Sequence, residues 1–187
     1  MTSMLVTKER AYSPHHTLLG AARVCLGLAE AKHPGSHYHE FTAMVMSALS
    51  LEALANSVGA RLITDWSDFE SSSPWAKLRT ICETLHIDFD RGKEPWSTAR
   101  WLCGFRNKVA HGKPQDLFLT KQVAEEAYET EMYSPLDSWI ESQISLGNAK
   151  RAYKAASDIK LAFSQALPDE LKLGIYSDST MSTGESG

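Results

Sequence analysis

Along most of this chain apolar residues recur every three and four positions, the spacing of one face of a helix. After Pro14, the residues Leu18, Leu19, Ala22, Cys25, Leu26 and Ala29 mark a helix from His15 to about Lys32. Pro34-Gly35-Ser36 breaks it, and Ser36 can cap a second helix. That helix, about His37 to Leu62, carries Phe41, Met44, Val45, Ala48, Leu51, Leu54, Ala55 and Val58. Its apolar arc is so wide that a central position is expected. Residues 63–73 are rich in acids and serines and read as a loop. Ser73-Pro74 supplies a cap and a proline at the first helical position, opening a third helix to about Ile87. Asp88 to Glu94 is a polar connection, and Pro95 opens a fourth helix that ends at Gly112 and Pro114. A short helix is expected over 121–133, then a long last one from Pro135 to about Leu167, weakened at Gly147.

No alternating strand pattern and no internal repeat is found. The expected fold class is therefore all-α, a helical bundle of four to five main helices. Its expected parts are a flexible N-terminal segment (1–13), a helical domain (14–170) and a disordered C-terminal tail of small polar residues (171–187).

Composition narrows the function classes. At 43% hydrophobic residues the chain can build a core, and its net charge of −4 excludes a generally basic nucleic-acid coat. Any nucleic-acid contact must be local. Cys25, Cys82 and Cys103 are distant and odd in number, which argues for a reducing compartment and against a disulfide framework or zinc ribbon. No apolar signal region and no uninterrupted apolar run of membrane-spanning length is seen, so a cytoplasmic location without a membrane partner is expected.

One segment offers a chemical constellation: Phe105-Arg106-Asn107-Lys108-Val109-Ala110-His111-Gly112, at the end of the fourth helix. At about 100° per residue, Thr98, Trp101, Leu102, Phe105 and Val109 share the core face. Arg100, Asn107 and His111 cluster nearly opposite, beside Cys103, Gly104 and Ala110, and Arg106 flanks the core. The small residues on the polar face would let a second helix or a substrate backbone approach. Asn107 and His111 are spaced to touch. Arg106 is a permanent cation suited to phosphate. His111 can move a proton near neutral pH. From Pro95 to Gln115 there is no acid, while Arg100, Arg106, Lys108 and Lys113 make a local positive field. The plain alternative is that basic residues at a helix end cap carbonyls and offset the dipole.

The phrase FRNKVAHG resembles the active-site motif of the HEPN superfamily: an arginine, a polar residue, three positions and a histidine near the end of a late helix. More loosely, the resemblance extends over residues 15–167, including ALSLEALANS in the second helix. It implies a metal-independent, cofactor-free endoribonuclease of toxin or phage-defence type, a homodimer whose motif helices meet in one composite cleft. The implied catalytic residues are Arg106 and His111, with Asn107 supporting them. RNA would be cut through its 2′-hydroxyl to a 2′,3′-cyclic phosphate. Arg100, Lys108, Lys113 and Glu52 are the substrate-binding or orienting candidates, and an antitoxin or other regulatory protein is a further implied partner. A tyrosine two positions after the histidine marks one antitoxin-regulated subgroup; here that position is Lys113, which argues against that regulation. The same resemblance admits a non-catalytic module that binds RNA, a nucleotide or a protein through this basic face, or a structural dimerisation domain.

Other candidates are simpler. Glu52 either pairs with Arg106 or Arg100 and orients it, or is a structural ion pair or exposed edge residue. His33, His37 and His39 surround a helix break and lack the ligand set of a zinc site. His15-His16 reads as a helix start. Of the five tryptophans, Trp96 is the one expected near the basic face as a base-stacking surface.

Overall fold

The computed structural model describes residues 4–176 and 180–186. It is predominantly helical, as the periodicity requires. Helix α1 spans His15–Glu30, α2 Ser36–Leu62, α3 Pro74–Thr84 and α4 Trp96–Ala110. A short α5 (Tyr128–Met132) and α6 (Trp139–Gln143) precede α7, Leu146–Ala166, and the single turn α8, Asp169–Lys172.

The second helix is central, packing against α1, α3, α4 and α7. Ala43, Met44, Leu51, Leu54, Ala55 and Val58 are fully enclosed there. Its serines do not strand a polar group in that core: Ser47, Ser50 and Ser57 donate back to the carbonyls of Ala43, Ser47 and Ala53. By length and composition alone α2 could cross a membrane, although no uninterrupted apolar run of that length occurs in it. Half of its most apolar window is buried within the fold, and Glu52 and Asn56 interrupt its apolar sequence. Where α2 ends, Trp66 lies on Gly59 so closely that a Cβ at position 59 would stand 2.4 Å from the indole. The next turn can fold back only over a glycine.

Three expectations are corrected. The chain ends are not both irregular: β1 (Met4–Arg10) pairs antiparallel with β2 (Thr180–Ser186), with Thr7 opposite Thr183. Neither strand alternates apolar with polar residues, so neither leaves a strand signal, and their pairing is a long-range event. Residues 1–3, 177–179 and 187, also expected to be irregular, lie outside the described residues. The long last helix is two helices. Ser138 opens α6 with a reciprocal cap to Glu141, and Ile144 and Ser145 are extended; the break therefore precedes Gly147, with Ser145 capping α7. Finally, α3 stops at Thr84, because His86 takes a left-handed conformation at φ 55°.

His15 is a buried titratable group, 1% exposed at the start of α1. Burial pushes its imidazole down to about 3, with the nearby charges of His16 and Lys160 acting in the same direction. The folded state therefore holds His15 neutral while the unfolded chain protonates it near 6.5. Its contribution to stability is complete above that value and is lost as pH falls towards the folded value. Wild type is expected to lose about 1.4 kcal/mol per pH unit more than His15→Phe between pH 6 and pH 5. Chemical denaturation of both proteins at the two pH values checks this; equal losses would show that His15 is protonated in the fold.

Candidate active site

The motif sits at the carboxyl end of α4. Leu102 and Phe105 are fully buried, and Trp101 and Val109 are half-buried beside them. Anchoring this face fixes where the opposite one points. Arg100, Gly104, Asn107, Lys108 and His111 are all exposed. A Cβ on Gly104 would meet nothing within 4 Å, so the backbone there is open to an approaching partner. Cys103, placed by helical spacing beside this polar face, is 8% exposed, and burial first, then Glu52, push its thiol up to about 12. It is a packing residue.

Arg106 leaves the core edge and meets α2. Its Nη2 lies 2.8 Å from Oε2 of Glu52, and its Nη1 donates to Oδ1 of Asn107 at 3.1 Å. The pair is neither deeply buried nor freely solvated, with side-chain exposures of 27% for Arg106 and 23% for Glu52. A guanidinium has five N–H donors, so these two contacts orient it and leave others for an oxyanion. Glu52 thus pairs with Arg106; no ion pair of Glu52 with Arg100 occurs among the described residues. Asn56, one turn further along the same helix, serves elsewhere and accepts from the buried ammonium of Lys77 at 2.9 Å.

His111 is the residue that caps α4. Its N–H donates to the Asn107 carbonyl at 3.0 Å, and Gly112 and Pro114 end the helix behind it. The Asn107 side chain bonds Arg106 and not His111, a change from the contact the spacing suggests. Arg106 and His111 are five positions apart, about 7.5 Å along the axis. The side chains of Arg100, His111 and Lys113 make no hydrogen bond or ion pair among the described residues, so they remain available to a ligand.

The aromatic neighbour of this face is Trp139, not Trp96. Trp96 is 4% exposed and donates from Nε1 to the Asp88 carbonyl, which removes it as a surface. Trp139, the first residue of α6, is 36% exposed and tilts against Phe105 with ring centroids 6.3 Å apart. The ammonium of Lys108 stands 3.6 Å from its ring centroid. Together Lys108, His111, Lys113, Gln115, Trp139 and Ile140 line an open cavity of about 240 Å³. Sequence periodicity missed Trp139 because it placed that residue inside a continuous helix; the signal was Ser138 and Glu141, a capping box that starts a helix there.

Among the described residues no group of histidine, cysteine and acid side chains is arranged to hold a metal ion, and His33, His37 and His39 do not form one. His33 and His39 meet only edge to face, 6.0 Å apart. The end of α4 thus combines an oriented guanidinium, an exposed imidazole, accessory lysines and an aromatic wall. Compared with known proteins, the chain matches no family model, no curated protein and no solved structure.

Proposed function

We propose that this chain is a HEPN-like endoribonuclease that cleaves single-stranded RNA without a metal ion, acting as a homodimer across the α4 face. The observation that carries this reading is the state of the motif pair: Arg106 is oriented by Glu52 and Asn107, while His111 stands free at the solvent-facing end of the same helix. A purely structural pair would be expected to satisfy itself within the bundle.

The chemistry rests on the two groups. The RNA 2′-oxygen attacks the adjacent phosphorus, the bond from phosphorus to the 5′-oxygen breaks, and a 2′,3′-cyclic phosphate remains. The 2′-hydroxyl loses its proton and the departing 5′-oxygen gains one. His111 carries one of these transfers, and His111 of the partner subunit carries the other. Arg106 stabilises the charge that builds on the phosphoryl oxygens. DNA has no 2′-hydroxyl and is not cut by this route. An exposed face with open space at Gly104 supports the approach of a second α4.

The cavity beside His111 supplies the place for a base. Stacking a base on an aromatic side chain is worth about 1–3 kcal/mol. Trp139→Ala is therefore expected to weaken binding of a single-stranded, 2′-O-methylated RNA about 5- to 100-fold, by titration in low salt. Lys113→Ala should lower the salt dependence of the same binding by about one ion. Unchanged affinity in both variants would remove RNA from this cavity. The competing reading, a module that binds RNA, a nucleotide or a protein without cleaving, predicts the same binding losses and no products.

A further inference from the structure

The buried side-chain polar atoms without a protein partner among the described residues all fall in one corner of the bundle. They are Nδ1 and Nε2 of His15, Oγ of Ser157 and Oη of Tyr176. This corner, where α1, α7 and the turn after α8 meet, contains no part of α4. Tyr176 stands edge-on to His15, with ring centroids 5.8 Å apart. It also walls two cavities, one of about 310 Å³ beside His16 and one of about 430 Å³ against α7. The larger lies within the roughly 300–1,000 Å³ usual for small-molecule sites.

Among the described residues the charge in this corner is one-sided. The Lys160 ammonium contacts Nδ1 of His16 at 3.4 Å, and Nε2 of His16 bonds the Ile175 carbonyl. His16 is then an acceptor towards Lys160 and a donor towards Ile175, which leaves the ammonium two more N–H groups. Among the described residues no carboxylate lines either cavity, and the acid next to Ser157 in sequence, Asp158, is held by Lys154 at 2.6 Å. Among the described residues a half-buried cation without a counter-ion thus lines the same cavity as two residues whose hydroxyls have no protein partner. Buried donors left unmade are costly, so their convergence on one cavity marks a place built to receive acceptors. Leu19 and the ring of Tyr153 add an apolar wall.

We propose that the cavity between α1, α7 and the turn ending at Tyr176 binds a small phosphate ester. Its phosphoryl oxygens lie on Lys160 Nζ and the hydroxyls of Ser157 and Tyr176, and its organic body lies against Leu19 and Tyr153. Three donors match the three free oxygens of a phosphate monoester better than the two of a carboxylate. This site is independent of the motif at the end of α4.

Titration of the full chain with phenyl phosphate tests it, with benzoate and phenol as controls. Phenyl phosphate is expected to bind one site per chain and raise the melting temperature. Lys160→Met is expected to lower that affinity at least about tenfold, and Tyr176→Phe about tenfold, with unliganded circular dichroism like that of wild type. His111→Ala should bind phenyl phosphate as wild type does, which separates this site from the α4 face. The proposal is overturned by no binding at millimolar phenyl phosphate, where water alone satisfies these groups. Affinity undiminished in Lys160→Met, or benzoate binding as tightly as phenyl phosphate, overturns it equally.

Discussion

His111→Ala is expected to reduce RNA cleavage about 100- to 10,000-fold, the usual contribution of a positioned proton carrier. The fold should not notice, because the side chain is exposed and unbonded and such surface changes usually stay within about 0.5 kcal/mol. RNA affinity should change far less than rate, since Lys108, Lys113 and Trp139 line the same cavity. Arg106→Ala should match it in rate but not in stability, because it leaves the half-buried Glu52 without a partner. A single-turnover assay with denaturation curves on the two variants separates these outcomes. If His111→Ala cuts as fast as wild type, the imidazole takes no part in the chemistry.

The largest effect on the fold is expected from Phe105→Ala. Phe105 is fully buried, immediately before the motif arginine, and gathers three rings: Phe41 at 6.2 Å, Trp101 at 5.9 Å and Trp139 at 6.3 Å between centroids. Truncating such a side chain typically costs about 3–5 kcal/mol, the lost burial plus the cavity left behind. Against a total stability of about 5–15 kcal/mol that is a large fraction. The melting temperature should fall by about 10 °C. Because Trp139 leans on Phe105, single-stranded RNA binding should weaken at temperatures where the variant is still folded. Calorimetry reads the first effect and titration the second. A loss below about 1 kcal/mol would mean that the ring cluster does not hold α4 in place.

These two residues also show how far the sequence alone was legible. Phe105 could be assigned to the core and His111 to the exposed end because a helix repeats its faces every few residues, and both assignments agree with the fold. The Glu52–Arg106 contact was open to only two partners, since an acid on so apolar a helix needs one. What escaped depended on distant or very local events. The β1–β2 ribbon joins opposite ends of the chain, and nothing within seven residues of sequence signals it. The rise of Trp139 beside Lys108 depends on the extended residues Ile144 and Ser145, which turn one expected helix into two. The polar corner at His15 escaped because adjacent histidines at a helix start carry no sign of burial. Tyr176, its other half, lies in the expected tail.

The proposal of metal-independent ribonuclease chemistry is tested most directly by the ends of the products. Purified wild-type protein is incubated with single-stranded RNA in excess EDTA, beside His111→Ala, and the fragments are analysed for their termini. The expected result is cleavage by wild type alone, leaving 2′,3′-cyclic phosphate and 5′-hydroxyl ends. Fragments with 3′-hydroxyl and 5′-phosphate ends, equal cutting by both proteins, or intact RNA with a well-folded dimer would contradict it.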